Sequence, residues 1–132
     1  MSVLTDLRDR LIAAGVTTPI ALSRTPDTPD AVIALRAIPA MPSRDLDGRM
    51  RPVLERHSVQ LIARAAKDAG HATADAIAWG AYRALLGKHL TINGRRYDWI
   101  TATSVPAQLG RDQNDRPLSV VKFDVQTHGD LT

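Results

Sequence analysis

The 132-residue chain contains no cysteine, which excludes a disulfide framework, a cysteine nucleophile and thiolate metal sites. Aromatic residues make up only 4% of it, so aliphatic side chains and alanine must supply most of the core. No apolar run approaches the roughly 20 residues that a membrane-spanning helix needs, and residues 3–14 mix charges into the pattern, unlike a signal peptide. We therefore predict one domain, residues 1–132, with no membrane segment.

Sequence signatures of catalysis and cofactor binding are also missing. The chain has no glycine-rich phosphate loop, no GxSxG nucleophile elbow and no HExxH frame. No two of its histidines have the i, i+4 spacing of a helical metal site; they are His57, His71, His89 and His128. We expect no catalytic residue, no cofactor and no metal site, and a protein that works by contact.

The charge is mildly basic, with a formal net charge of +3. Nucleic-acid-binding surfaces concentrate their cations on one face. Here arginines and lysines are spread along the chain and often adjoin aspartate, as in residues 44–51 and 111–116. The pattern favours exposed loops of mixed charge over a surface that binds phosphates.

Hydrophobic spacing predicts the elements of the first half of the chain. Residues 2–14 form an amphipathic helix that Gly15 ends, and residues 19–24 form an edge strand. Residues 31–38 fit a strand or a short helix, and their Val and Ile content favours a strand. Residues 39–52 hold three prolines and are predicted as an exposed loop, either a mobile connector or an interaction loop.

A strand and the main helix follow. Residues 55–65 alternate with period two, which places Ser58, Gln60 and Arg64 on a solvent-exposed face. Residues 68–86 form a helix, ended by Gly87, whose core-facing stripe comprises Ala74, Ile77, Ala78, Ala81 and Leu85. Trp79 and Tyr82 lie off this stripe, where they either cover the rim of the core or meet another subunit.

The last third predicts a hairpin, a long loop and a final strand. Asn93-Gly94 is the preferred pair for a type I′ turn between residues 90–92 and 95–103. The expected shared face beyond this turn comprises Tyr97, Trp99, Thr101 and Thr103. Residues 104–117 are predicted as a polar loop between strands, of a length that is usually functional or disordered. In the final strand, residues 118–127, the predicted inward face comprises Val121, Phe123 and Val125.

This order of elements predicts an α+β fold. We expect an antiparallel sheet, with a mixed sheet left open, of four to five strands and two helices packed on one face.

In its order of elements and in several sequence segments, the chain resembles the small tail terminator proteins of long-tailed bacteriophages, a group also described as minor capsid proteins. The resemblance covers most of the chain apart from residues 25–52. It rests on the segments LRDRLIAAG, RHSVQLIARA, AYRALLG, INGRRYDWITATSVPAQLGRD and RPLSVVKFDVQTH.

The resemblance implies a structural virion protein of the tail or neck, assembled in the host cytoplasm. Such subunits form a hexameric ring that caps the tail tube and provides the head–tail joining surface. The implied partners are sister subunits, the tail tube protein and head–tail connector proteins. DNA passes through the ring without specific binding, and no reaction is involved.

Within residues 104–117, the candidate contact residues are Gln108, Arg111, Asp112 and Asn114. An ordinary solvated loop is the equally weighted alternative for these residues. Three other functions stay open: a different head–tail connector or head-closure component, a small-ligand-binding or enzymatic α+β domain with a cleft under the long loop, and a nucleic-acid binder.

Overall fold

The computed structural model describes residues 2–38 and 54–128. The predicted loop of residues 39–52 lies outside them. The described elements are α1 (Val3–Ala13), β1 (Ile20–Leu22), β2 (Val32–Ile38), β3 (Leu54–Arg64), α2 (His71–Leu85), β4 (Gly87–Ile92), β5 (Arg95–Ala102), β6 (Ala107–Arg111) and β7 (Pro117–His128).

All seven strands belong to one mixed sheet with the order β1-β2-β3-β7-β5-β4, and β6 also pairs with β7. Among the described strands, β1 and β2 pair in parallel and all other pairs are antiparallel. The α+β class is confirmed, but four to five strands was too few. The missed strand, β6, occupies residues 107–111 of the segment that was predicted as a loop.

Both helices pack on one face of the sheet and bury the core there. Val121, Phe123 and Val125 of β7 are at most 1% exposed, which confirms the predicted inward face. Opposite them, α2 buries alanines at positions 74, 78 and 81, and these small side chains let the helix approach the sheet closely. The Tyr82 ring lies 6.3 Å from the Phe123 ring at a tilt of 39°, and the Trp79 ring meets Tyr82 edge-on at 5.2 Å, so both cover the rim of the core.

The β4–β5 hairpin confirms the turn that the sequence predicts. Asn93 and Gly94 have φ of 52° and 80°, the positive values that a type I′ turn requires at both positions. The flanking residues Ile92 and Arg95 pair across the turn.

A bulge in β5 overturns the shared face that was predicted for Tyr97 and Trp99. Tyr97 pairs with Thr127, but Trp99 pairs with Gln126, so Asp98 is an extra residue in the ladder. Because one extra residue reverses the alternation, Tyr97 faces the helices and is fully buried. Trp99 lies on the opposite face, named here the helix-free face because neither helix of the described residues packs on it. The Gln126 amide donates to the Asp98 carboxylate at 3.0 Å on that face.

The end of α2 also differs from the prediction. Leu86, with extended backbone, is the C-cap, and Gly87 begins β4 instead of capping the helix. The last carbonyls of α2 are satisfied from α1: the Arg10 guanidinium donates to the carbonyl oxygens of Leu85 at 3.2 Å and Leu86 at 3.0 Å. One long side chain therefore ties the two helices together.

A buried carboxylate attaches α1 to the hairpin. Asp6 is fully buried, and its oxygens accept from Asn93 Nδ2 at 3.0 Å and Tyr97 Oη at 2.5 Å and pair with Arg95 Nε at 3.2 Å. Burial, reinforced by the Asp6 carboxylate, raises the pKa of Tyr97 far above its usual range. These donors satisfy a charge that would be costly to bury alone.

The first prediction concerns this attachment. Replacing Tyr97→Phe removes the hydroxyl donor and preserves the ring, so the free energy of unfolding should fall by about 1.5–3 kcal/mol, the usual contribution of a hydrogen bond to a charged group. Urea denaturation measures this difference. The matched control is Tyr82→Phe, because no hydrogen bond within the described residues involves the Tyr82 hydroxyl and the loss should be small. Equal losses in the two variants would contradict the role of the Asp6 contact.

Candidate functional site

The candidate site is the segment of residues 104–117, named here the contact arm. It consists of a short irregular stretch, strand β6 and the turn that leads into β7. β6 pairs antiparallel with the first part of β7, from Ala107↔Val120 to Arg111↔Pro117. The arm is therefore half of a β-hairpin and extends the sheet.

The arm continues β5 along the same edge of β7, with an interruption. Ala102 pairs with Phe123 and Ala107 with Val120, so residues 103–106 face only residues 121–122 of β7. The excess residues form an irregular stretch in which Val105 is exposed and Pro106 is buried. Pro106 lies in the interruption, and its lack of an N–H prevents it from donating to the ladder.

Two large apolar side chains of the arm are exposed to solvent. Val105, in the interruption, is 55% exposed, and Leu109 is 51% exposed. The register of β6 shifts between Gln108 and Gly110, which leaves Leu109 without a partner in β7. Among the described residues only Ile12 is a comparably exposed large apolar residue. Residues 104–110 also carry no charge, as is typical of the centre of a protein interface.

Arg116 anchors the turn of the arm. Its side chain is 6% exposed and donates to the Asp112 carboxylate at 2.8 Å. It also donates to the carbonyl oxygen of Asp27 at 2.6 Å and to the carboxylates of Asp27 and Asp30 at 3.1 and 3.2 Å. Desolvation opposes the charged form, but these acceptors outweigh it and raise the pKa of Arg116. The turn is thereby fastened to the loop between β1 and β2.

Arg64 fastens the same loop from β3. It donates to the carbonyl oxygens of Asp30 and Pro29, each at 2.7 Å, and of Asp27 at 3.3 Å. The sequence placed Arg64 on a solvent-exposed face, but it is only 3% exposed because the loop covers it. Burial, together with the nearby charge of Arg116, lowers the pKa of Arg64.

The four predicted contact residues lie on β6 and on the turn that follows it. Gln108 is exposed on β6, and Arg111 donates to the carbonyl oxygen of Asp115 at 2.6 Å. Asp112 accepts from the backbone N–H of Asn114 at 3.0 Å, and Asn114 Nδ2 donates to Asp27 at 3.2 Å. The side chains of Asp112 and Asn114 therefore help to shape the turn.

Sequence reasoning missed Arg116, Val105 and Leu109. The alternation of Val105, Ala107 and Leu109 is the period-two signal of a short strand, but it was obscured by Pro106 and Gly110. The role of Arg116 depends on residues about 90 positions earlier in the sequence, which no local pattern shows.

Within residues 2–38 and 54–128, no three acidic or histidine side chains are arranged to hold a metal ion. No helix of this part of the chain has the length and apolar character needed to cross a membrane.

Comparison with known proteins identifies the family of this chain. The model of the bacteriophage tail terminator protein family matches residues 10–128. A chain in the virion of a native gene transfer agent particle superposes with a TM-score of 0.65 and 19% identity, covering 97% of this chain and 96% of that one. A second solved structure gives a TM-score of 0.58 and 18% identity, covering 97% and 92%. No curated protein sequence matches the chain.

Because the family model spans nearly the whole chain, the protein belongs to the bacteriophage tail terminator family. This confirms the resemblance that its sequence segments indicated. The class is that of structural virion proteins of phage tails, and the two superpositions, at their low identities, support the shared fold.

The second prediction concerns the pH dependence of the arm. Burial raises the pKa of the Asp112 carboxyl, but hydrogen bonds from the Arg116 backbone and side chain and from the Asn114 N–H outweigh it, so that this pKa lies below its usual value. A lowered pKa in the folded state stabilises the protein above roughly pH 4, and this contribution is lost as the pH falls through the lowered value.

We therefore expect Asp112→Asn to reduce the free energy of unfolding at pH 7, and the difference from wild type to shrink as the pH falls below about 4. Urea denaturation over a pH series measures both quantities. Asp115→Asn is the control, since the Asp115 side chain is 62% exposed and its loss should cost little at any pH. A difference for Asp112→Asn that does not vary with pH would contradict this role of the ionised carboxylate.

Proposed function

We propose that the protein is a tail terminator subunit that assembles into a hexameric ring. The ring caps the tail tube, presents the surface to which the head joins, and lets DNA pass through its centre. It is a component of the tail or neck of the virion, is assembled in the host cytoplasm, and catalyses no reaction.

One observation carries this proposal beyond family membership: the contact arm is anchored on one side and apolar on the other. Arg116 fastens the turn of the arm to the loop between β1 and β2, and Arg64 holds that loop in turn, so little conformational entropy remains to be lost on binding. Val105 and Leu109 project from the uncharged part of the arm into solvent. A rigid apolar projection of this kind suits permanent contact between protein subunits.

The contact residues that we propose on the arm are Gln108, Arg111, Asp112 and Asn114. Gln108 and Arg111 lie beside Leu109 and supply polar contacts around an apolar centre. Asp112 and Asn114 contribute through the shape of the turn.

The charge distribution supports passage of DNA without tight binding. The net charge is only +3, and phosphate affinity grows with each cation engaged. On the helix-free face, the Arg56 guanidinium is paired with the Asp124 carboxylate at 2.5 Å. Such pairing reduces the number of cations available to phosphates.

A ligand-binding domain is the second candidate. An open groove of about 600 Å³ lies on the helix-free face beside Trp99, and Lys88, Asp98 and Asp124 supply polar groups around it. Its volume falls in the usual range for small-molecule sites. Another head–tail joining component is the third candidate, because it would also need an exposed contact arm.

The third prediction is the mass of the assembly. The purified protein should sediment as a ring of six copies, alone or once tail tubes are added, and the ring should bind tail tubes and not portal rings. Analytical ultracentrifugation over a concentration series, with and without purified tubes, measures this. A monomer under both conditions would overturn the ring, and binding to portal rings alone would favour a head-closure component.

The fourth prediction tests the arm. Leu109→Asp places a charge at the centre of the proposed contact and should abolish assembly while leaving the melting temperature within about 2 °C of wild type, because surface substitutions rarely change stability by more than about 0.5 kcal/mol. The matched control is Ala76→Asp, since Ala76 is exposed on α2, outside the arm, and assembly should persist. Equal loss of assembly in both variants would contradict a specific role for the arm.

A further inference from the structure

A second candidate contact surface, of mixed polar and apolar lining, lies beside the β4–β5 turn. It is a groove of about 430 Å³ between the C-terminal half of α1 and the end of β4. Its apolar lining consists of Ala13, Ala14, Ala84 and Ile92, and Asp9, Arg10, Thr91 and Asn93 form its polar rim. The three alanines, two at the end of α1 and one on α2, have small side chains that leave room for side chains from another molecule.

The walls of this groove are held in place by side-chain hydrogen bonds. Arg10 connects α1 to the Leu85 and Leu86 carbonyls at the end of α2. Asn93 Nδ2 connects the hairpin turn to Asp6 at 3.0 Å and to Asp9 at 2.8 Å. The groove is therefore formed before any partner binds, as the contact arm is.

The groove and the arm lie at opposite ends of the sheet. Leu109 lies next to the Gly110↔Leu118 pair at the start of β7, whereas the Asn93 turn lies beyond the Tyr97↔Thr127 pair at its end. At a rise of about 3.3 Å per residue, these two levels are separated by roughly 30 Å. A projection and a groove that far apart cannot meet within one copy, but they can meet between copies arranged head to tail.

The charges on the two surfaces allow this pairing. Arg111, at the end of β6, pairs with Asp115 at 3.7 Å and has a side chain that is 35% exposed. Asp9, in the lining of the groove, pairs with Arg8 at 3.3 Å and has a side chain that is 37% exposed, so Arg111 of another copy would extend a row of alternating charges. A hydrogen bond from Asn93 lowers the pKa of Asp9, so this carboxylate is ionised at neutral pH. The two surfaces thus combine apolar centres with opposite charges beside them.

We propose that Val105 and Leu109 of one copy occupy the groove between α1 and β4 of the next copy, with Arg111 beside the neighbour's Asp9. The occupant of the groove is a second copy of this chain. This inference rests on the proposed ring and identifies the two surfaces that close it.

The absence of cysteine from the chain allows a direct test. A double variant, Leu109→Cys with Ala13→Cys, places one thiol on the arm and one in the groove. Disulfide formation needs Cα atoms within about 7 Å, so only contact between copies permits it. Under mild oxidation, non-reducing gel electrophoresis should show a ladder of covalent oligomers that ends at six copies. Ala14→Cys replaces Ala13→Cys if the first position perturbs folding.

Controls separate this interface from other contacts. Each single-cysteine variant should give at most dimers, and Leu109→Cys with Lys88→Cys, which places the second thiol on the helix-free face, should give no ladder. Efficient dimers from Leu109→Cys alone would indicate arm-to-arm contact and would overturn the proposal.

The mass of the wild-type assembly distinguishes failure of this interface from failure of the proposed ring. A ring by sedimentation with no ladder from either arm–groove pair would overturn this interface and leave the proposed function intact. A monomer in both the absence and the presence of tail tubes would overturn the ring and the interface together.

Discussion

The structure depends on the hydrogen-bonded ladder of β7. This strand, Pro117–His128, pairs along its length with β3 on one edge and with β5 and then β6 on the other. Its inward side chains Val121, Phe123 and Val125 form the surface on which α2 packs. Ser119 adds a polar contact to α2, because its hydroxyl donates to the Asp75 carboxylate. Core, arm and hairpin are all positioned by one strand.

Buried charges reinforce the two ends of this strand in different ways. At its start, Arg116 and Arg64 satisfy carbonyl and carboxylate oxygens of the loop between β1 and β2. At its end, the Asp6 carboxylate accepts hydrogen bonds from two side chains of the β4–β5 hairpin. Removing one partner of such a contact leaves a buried charge uncompensated, which costs more than the contact itself contributes. Both ends of β7 are therefore held in place by several side-chain contacts.

Local patterns explain which features the sequence could predict. The two helices and the Asn93-Gly94 turn follow from periodicity and from turn chemistry, which act within a few residues. The bulge at Asp98, the strand character of residues 107–111 and the burial of Arg64 depend on partners far away in the chain. The arm was found as a candidate contact region because of its length, but its apolar projections required knowledge of the register with β7.

Rigidity between the two proposed contact surfaces has a consequence for assembly. In a head-to-tail arrangement, the angle between neighbouring copies is set by the orientation of the arm relative to the groove. The arm pairs directly with the start of β7, and the groove is built on the hairpin that pairs with its end. A continuous strand ladder therefore fixes this angle within each copy. A fixed angle that divides the full circle gives a closed ring, whereas a variable angle would give open chains, so the proposed function requires the stiffness that β7 provides.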